Sequence, residues 1–306
     1  MDTLRRIIRN DPHISSQDYF DLFSTALAAR DNKSLLAALL AALSAKPFNV
    51  RDAVHFVRFI EQHTAKRTLS VSDQVVNIVG TGGGIPSFNI STTATFVAAA
   101  AGAMVLKSGS YSYNSQCGSL DVLAQLGIDL NLDESGLERM LKTVNIGFVS
   151  PRMYPPLLRR MAISIMPLTL REIGGFINTV GPLICPFKVK GQICGVRSMD
   201  LVQPFAQALQ ALEIKNSISV WSEIGLDEFS AIGKSHLARV DEEISESIFD
   251  PTQFGMHHKD PAALRGGSAQ ENAELIKLIL NNQGPEAARD TVILNAAFVL
   301  LAAGQS

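Results

Sequence analysis

From residue 74 to residue 107 the chain reads QVVNIVGTGGGIPSFNISTTATFVAAAAGAMVLK. The β-branched segment Gln74–Val79 predicts a short strand, the alanine-rich segment Ser91–Ala101 predicts a helix, and Met104–Lys107 predicts the next strand. A glycine-rich turn at residues 80–84 follows the first strand directly. A strand, a glycine turn, a helix and a second strand form a βαβ unit, whose strands are parallel. The sequence therefore predicts an α/β fold with a central, mainly parallel sheet.

The N-terminal part of the chain has a different pattern. Residues 1–70 predict helices, among them a Leu- and Ala-rich helix at Leu35–Leu43 and a helix capped by Asn49. We therefore predict a small N-terminal α-helical domain over 1–70 and a large α/β domain over 71–306. Part of 151–179 is a candidate for a second excursion into the helical domain. The apolar stripe at Leu35–Leu43 is either core or a dimer face, and its pattern fits both.

Composition limits the class of protein. The 306 residues are 46% hydrophobic and 18% charged, with a formal net charge of −2, which indicates a globular protein without the basic surplus of a nucleic-acid-binding protein. Apolar stretches such as Phe96–Leu106 are about half the roughly 20 residues that a membrane span needs. The three cysteines form no CxxC pair, and no zinc-site spacing is present. Since Met1–Arg6 lacks an apolar signal segment, we expect a cytoplasmic protein.

The glycine-rich turn has the chemistry of an anion site. Glycines let backbone N–H groups converge, and the N-terminus of the following helix adds partial positive charge. Asn89, Ser91 and Thr92 place polar side chains at the start of that helix, where they either bind ligand oxygens or cap the helix. No Gly-Lys-Ser/Thr follows, as a P-loop requires, and Ile85 stands where a dinucleotide-binding turn has its third glycine.

A longer series of motifs points to one family. In chain order these are Gly80-Thr81-Gly82-Gly83, Phe88-Asn89-Ile90-Ser91-Thr92, Lys107-x-Gly109, Gly118-Ser119-x-Asp121, Asn178-x-x-Gly181-Pro182-Leu183, Gly225-Leu226-Asp227-Glu228, Gly266-Gly267 with Glu271-Asn272-Ala273, and Asn295-Ala296. The series resembles the anthranilate phosphoribosyltransferase family and, more distantly, the pyrimidine nucleoside phosphorylases. It spans nearly the whole chain and is more specific for the fold than for the acceptor.

The resemblance implies a donor, a metal and the residues that bind them. The donor is phosphoribosyl pyrophosphate with Mg²⁺, and the family forms homodimers through its N-terminal helices. The implied donor-binding residues are Gly80, Thr81, Gly82, Gly83, Asn89, Ser91, Thr92, Lys107, Gly109 and Ser119. The implied metal-binding residues are Ser91, Asp227 and Glu228. Adjacent carboxylates in a loop suit a hard cation that shares ligands with phosphates, although an ordinary solvated acidic pair has the same sequence.

Several positions depart from the family pattern, one in the glycine loop and others toward the acceptor. Gly84 stands where the family's loop carries Asp, and Trp221 replaces a His that precedes Gly-Leu-Asp-Glu. The implied acceptor-binding residues are Ser108, Ser110, Tyr111, Tyr154 and Arg171. The first four replace the family's His, Asn, Arg and His, and Arg171 is the candidate for its carboxylate-binding Arg. Because the donor residues are kept and these are changed, we expect an aromatic amine or acid acceptor other than plain anthranilate.

Three alternatives remain open at this point. The chain is a true anthranilate phosphoribosyltransferase of tryptophan biosynthesis with local drift, a phosphorylase-like enzyme that uses inorganic phosphate, or an inactive homologue that acts as a binding protein. For the phosphoribosyltransferase we name no general base. An oxocarbenium-like transition state with a neutralised leaving group needs mainly positioning and electrostatic stabilisation.

Overall fold

The computed structural model describes residues 2–28, 33–109 and 118–305. Two compact units divide the chain. The first comprises Met1–Arg67 with Tyr154–Pro186, and the second comprises Thr68–Met153 with Phe187–Ser306. Among the described residues, no helix is both long enough and apolar enough to cross a membrane.

The helices and strands are numbered in chain order. The helices are α1 Asp2–Ile8, α2 Ser16–Ala28, α3 Lys33–Ala45, α4 Val50–His63, α5 Ile90–Ala100, α6 Ser119–Gln125, α7 Glu134–Val144, α8 Pro156–Ser164, α9 Leu170–Ile173, α10 Gly175–Val180, α11 Val202–Ala211, α12 Ala269–Leu280 and α13 Glu286–Ala302. The strands are β1 Val75–Gly80, β2 Met104–Lys107, β3 Ile146–Phe148, β4 Gly191–Gly195, β5 Ser217–Ser222, β6 Ser235–Val240 and β7 Ile244–Phe249.

One sheet organises the second unit. Its strand order is β3-β2-β1-β4-β5-β6-β7, in which β3, β2, β1, β4 and β5 pair in parallel and β6 and β7 pair antiparallel. This confirms the predicted α/β fold with a mainly parallel central sheet. Because carboxyl ends of parallel strands share an edge, the segments that follow β1, β2, β4 and β5 meet at one edge of the sheet.

The alanine-rich helix α5 is a buried helix. Its residues Ala94 and Ala98 have no exposed surface and belong to the core that β1, β4 and β5 build with α13. Helix α13 contributes small residues such as Ala288 and Ala296 to the same core, so the two helices pack closely. This core fixes the first turn of α5 next to the end of β1.

The first unit buries its own leucine stripe. Leu36, Leu39, Leu40 and Leu43 of α3 are at most 4% exposed within the single chain, so these four residues are core. The homodimer stays a prediction. Helix α4 begins as predicted, because the Asn49 side chain accepts hydrogen bonds from the two N–H groups of residues 51 and 52.

A buried ion pair in the first unit gives a stability prediction. Lys46 Nζ lies 2.6 Å from Asp52 Oδ2, with side chains 9% and 3% exposed, and the Tyr19 hydroxyl donates to the same carboxylate. We expect Asp52→Ala to lower the free energy of unfolding by about 3–5 kcal/mol, because the Lys46 ammonium would stay buried without its partner. Urea denaturation measures the change. The exposed Asp21→Ala in α2 is the matched control, and a loss at Asp52 no larger than at Asp21 would refute the assignment.

Candidate active site

The glycine-rich turn is attached to the end of β4. Thr81 N–H donates to the Gly195 carbonyl at 2.9 Å, in continuation of the β1–β4 register that pairs Gly80 with Gly195. Gly82 and Gly83 have φ of 63° and 87°, which side-chain-bearing residues rarely adopt. The turn therefore holds a fixed course over the edge of the sheet.

A second turn brings the acidic pair to the same place. After β5 the chain reverses through Gly225, which has φ of 87° and whose N–H donates to the Ser222 carbonyl at 2.8 Å. The chain then runs back across the end of β4. A Cβ built on Gly195 would lie 1.6 Å from the Asp227 carbonyl oxygen. Asp227 therefore rests directly on Gly195, and only glycine allows that approach.

Both carboxylates accept hydrogen bonds from amides of the predicted anion site. Gly82 N–H donates to Asp227 Oδ2 at 2.8 Å, and Ser91 N–H at the start of α5 donates to Glu228 Oε1 at 3.2 Å. Neither side chain is fully exposed. The alternative of an ordinary solvated pair is therefore wrong. The acidic pair thus binds two of the N–H groups that an anion would use.

Lys107 completes a charged cluster with the acidic pair. Its side chain is 5% exposed, and Nζ donates to the carbonyls of Ser108 at 3.1 Å and Ile78 at 3.4 Å. Burial lowers the pKa of Lys107, and the carboxylates of Glu228 and Asp227 oppose that shift. Burial also raises the pKa of Glu228, with a further increase from Asp227 and an opposing effect of Lys107. Burial is likewise the main cause of a raised pKa of Asp227.

The acidic pair, Gly80 and Ser91 line one small cleft. Its empty volume, counted out to the open surface, is about 230 Å³. The lining residues are Ile78, Val79, Gly80, Ser91, Ile193, Gly195, Val220, Asp227, Glu228 and Asn295. The acidic side chains thus fill part of the space at the glycine-rich turn. Glu228 Oε2 is buried and has no hydrogen-bond partner among the described residues, which is a position that a cation would satisfy.

The remaining predicted donor residues lie around these elements. Asn89 precedes α5 at the N-cap position but makes no side-chain capping bond. Its Oδ1 instead accepts a hydrogen bond from Asn272 Nδ2 at 3.0 Å. Thr92 Oγ1 is buried and has no hydrogen-bond partner within the described ranges. The Ser119 hydroxyl packs against Gly109, where an added Cβ would lie 2.1 Å from it. Of the polar side chains at the helix start, Asn89 is therefore not used as a cap.

The comparisons with known proteins agree with this geometry. Residues 72–306 match the model of the family described as "Glycosyl transferase family, a/b domain". The anthranilate phosphoribosyltransferase of Thermomicrobium roseum is 34% identical over 289 residues, covering 92% of this chain and 82% of that protein. That of a Shewanella species is 36% identical over 290 residues, covering 93% and 82%. The chain belongs to the anthranilate phosphoribosyltransferase family. It is therefore an enzyme, a glycosyltransferase of the phosphoribosyltransferase type, and not the inactive binding protein that the sequence left open.

Solved structures of anthranilate phosphoribosyltransferases share the fold. The enzyme from Thermus thermophilus superposes with a TM-score of 0.83 at 28% identity, covering 100% of this chain and 90% of that one. The enzyme from Saccharomyces cerevisiae, solved in complex with PRPP and Mg, gives a TM-score of 0.80 at 21% identity, covering 100% and 89%.

The loss of the family's loop Asp has a structural reason. A Cβ on Gly84 would lie 2.5 Å from the Gly225 carbonyl oxygen, which also accepts the Ile85 N–H at 2.9 Å. The turn therefore docks on the segment that carries Asp227, and this path leaves no room for a side chain at residue 84.

The acceptor-side residues of the family pattern are dispersed. Ser108 Oγ is buried without a hydrogen-bond partner among the described residues. Ser110 and Tyr111 lie outside the described residues. Tyr154 and the exposed Arg171 of α9 belong to the first unit.

Trp221 does not face the cleft. Its neighbour Val220 lines the cleft, and successive residues of a strand point to opposite faces. The Trp221 ring lies 5.9 Å from the His236 ring on β6, between centroids. The structure thus shows Trp221 packed on the far side of β5.

Sequence reasoning missed Arg197. It follows β4 directly, and its Cβ and Cδ lie 3.9 Å from the place that a Cβ on Gly83 would take. The available signal was its position, since a basic residue two places beyond a central parallel strand falls at the same edge as the glycine-rich turn.

Proposed function

We propose that this enzyme transfers phosphoribose from phosphoribosyl pyrophosphate to anthranilate, with Mg²⁺ bound. The acceptor differs from the sequence-based expectation of another aromatic compound. Anthranilate as the acceptor is supported by relatives that are anthranilate phosphoribosyltransferases, at 34–36% identity over more than nine tenths of the chain. The magnesium and the donor are supported by the same fold in the yeast enzyme in complex with PRPP and Mg.

The observation that carries the proposal is the meeting of amides and carboxylates in one cleft. The Gly82 and Ser91 N–H groups already bind carboxyl oxygens, those of Asp227 and Glu228. A phosphate oxygen is chemically equivalent as an acceptor for such a backbone N–H group. Gly80, Thr81 and Gly83 extend the same turn, and the donor pyrophosphate is placed along it.

The acidic pair fits the metal. Mg²⁺ prefers one or two carboxylates together with phosphate oxygens and water, and the unpartnered Glu228 Oε2 is suited to such a contact. Asp227 and Glu228, with the Ser91 hydroxyl, would hold the ion. When bound, the ion supplies positive charge to the departing pyrophosphate.

The chain's own residues position the donor and stabilise charge. Asn89, Thr92, Lys107 and Ser119 are proposed to contact donor phosphate oxygens, with Gly109 leaving room for the Ser119 hydroxyl. Lys107 also balances the charge of the acidic pair. Catalysis by positioning and by fixed hydrogen-bond donors requires no general base at the anomeric carbon.

A second candidate acceptor is an aromatic amine or acid other than anthranilate. It is favoured by Ser108, which is buried at the end of β2 where the family has His. A serine hydroxyl replaces an imidazole there, and an altered polar group in a binding site shifts acceptor selectivity. Tyr154 and Arg171 stay predicted acceptor-binding residues.

Pyrophosphate release tests the proposal. Purified protein receives phosphoribosyl pyrophosphate, Mg²⁺ and one acceptor at a time from a panel of aromatic amines and acids that includes anthranilate. Anthranilate is expected to give the highest kcat/KM. Release with another acceptor at least about tenfold above anthranilate would favour the second candidate, and no release with any acceptor would contradict phosphoribosyl transfer.

A further inference from the structure

We propose that Asn272 is a positioning residue, which sets the orientation of the Asn89 amide so that its NH₂ group is presented to the donor. This inference rests on the proposed function. Asn272 lies in the first turn of α12 and is 2% exposed. Its side chain bridges the backbone of Gly267 and the side chain of Asn89.

The chemistry of the bridge fixes both amide orientations. Gly267 N–H can only donate, so the Asn272 atom 2.8 Å from it is the acceptor Oδ1. The other end of the Asn272 amide is then Nδ2, which can only donate. The Asn89 atom 3.0 Å from that nitrogen is therefore Oδ1. A backbone group thus determines the orientation of Asn89 through two successive hydrogen bonds.

The orientation matters because phosphate offers only acceptors. Asn89 stands immediately before α5, whose first turn carries the Ser91 N–H of the anion site. Because Oδ1 accepts from Asn272, the other end of the Asn89 amide is the donor Nδ2, which has the polarity that an anion requires. The flipped amide would turn a carbonyl oxygen towards the phosphate, which is repulsive.

A close backbone approach at Gly266 brings Asn272 within reach of Asn89. A Cβ on Gly266 would lie 2.5 Å from the Ser87 carbonyl oxygen and 2.8 Å from Phe88, so this backbone lies directly against the segment that leads to Asn89. Phe88 N–H donates to the Leu264 carbonyl at 2.9 Å and ties the two segments together. The start of α12 is fixed by its own capping box between Ser268 and Glu271.

Asn272→Asp is the decisive variant. Its carboxylate still accepts the Gly267 N–H but can no longer donate to Asn89, so the Asn89 amide is expected to flip. Donor affinity, measured by calorimetry with phosphoribosyl pyrophosphate and Mg²⁺, is expected to fall about tenfold or more. Asn281→Asp makes the same chemical change at the other end of α12 and is expected to leave donor affinity unchanged.

A double-mutant comparison separates orientation from added charge. In an Asn89→Ala background, Asn272→Asp is expected to change donor affinity less than about twofold, because no amide is left to flip. A loss of the same size in both backgrounds would attribute the effect to charge or to general distortion and would overturn the proposal.

A measurement without donor tests the orientation of Asn89 independently of whether the enzyme transfers phosphoribose. In protein labelled with ¹⁵N-asparagine, the side-chain NH₂ signal of Asn89, assigned through its loss in Asn89→Ala, is expected to shift in Asn272→Asp. An unshifted signal overturns the orientation claim. Absence of donor binding by the wild-type chain overturns the proposed function and, with it, the role of Asn89 towards the donor.

Discussion

Asp227→Asn is expected to reduce phosphoribosyl transfer by about a hundredfold to a thousandfold. Asparagine still accepts the hydrogen bond from Gly82 N–H, so the glycine-rich turn keeps its place. The variant lacks the negative charge that a metal ligand supplies. Metal stabilisation of a leaving group is worth several kcal/mol, and each 1.4 kcal/mol or so is a factor of ten in rate. Steady-state kinetics over a range of Mg²⁺ concentrations measure the change, which we expect as a weaker metal dependence and a lower kcat.

The matched control for this variant is Asp241→Asn. Asp241 lies in the exposed turn between β6 and β7, where it pairs with Arg239 at 2.6 Å. We expect wild-type kinetics from it, because the pair is exposed and far along the sheet order from β1. If Asp227→Asn behaved like Asp241→Asn, the placement of the metal at the acidic pair would be wrong.

Gly195→Ala is expected to disrupt the site and to destabilise the second unit. A methyl group at residue 195 would lie 1.6 Å from the Asp227 carbonyl oxygen and 2.7 Å from its carbonyl carbon. Both are backbone atoms, so no side-chain rotation relieves the contact. The segment that carries Asp227 has to move away from β4, which breaks the Gly82–Asp227 hydrogen bond. We expect donor affinity to fall at least about a hundredfold and the free energy of unfolding to fall by about 1–3 kcal/mol or more.

Gly175→Ala is the control for the loss of a glycine. Gly175 lies in helix α10, and an added Cβ would come no nearer than 3.6 Å to the Ser44 side chain, so alanine fits as an ordinary van der Waals contact. Calorimetry with donor and Mg²⁺, together with urea denaturation, compares the two variants. Wild-type donor affinity in Gly195→Ala would show that Asp227 need not rest on Gly195 for the site to form.

Local patterns were sufficient for part of the fold. The strand, glycine turn and helix at residues 74–101 form as expected, because each depends on neighbours in sequence. Asn49 also follows the local rule for an N-cap. The same rule leaves capping open for Asn89, and there the structure shows another use, since the side chain is bound by Asn272, 183 residues further along the chain. A hydrogen bond from a residue distant in sequence, and not the local pattern, therefore determines how the Asn89 side chain is used.

The geometry of the site depends on contacts that no local pattern contains. The Gly82–Asp227 hydrogen bond joins residues 145 positions apart, and it requires the close approach at Gly195. Trp221 lies on the far side of β5, and its contact with His236 depends on the register between β5 and β6. Residue types alone therefore indicated an anion site and an acidic pair. They did not indicate that the acidic pair is hydrogen-bonded to the amides of the anion site.

The hydrogen bonds of the acidic pair make the metal central to donor binding. The Gly82 and Ser91 N–H groups are bound to Asp227 and Glu228, so a phosphate that uses these groups has to replace the carboxyl oxygens. A cation bound by the carboxylates provides the replacement for those hydrogen bonds and leaves the amides to phosphate. Donor and metal are therefore expected to bind cooperatively.

Calorimetric titration of the wild-type chain with phosphoribosyl pyrophosphate, once in saturating Mg²⁺ and once in excess chelator, tests this most directly. The expected result is saturable binding with Mg²⁺ and binding at least about a hundredfold weaker in chelator, equivalent to a coupling of about 2.7 kcal/mol. Equal affinity under the two conditions would contradict the account, and so would the absence of binding in both.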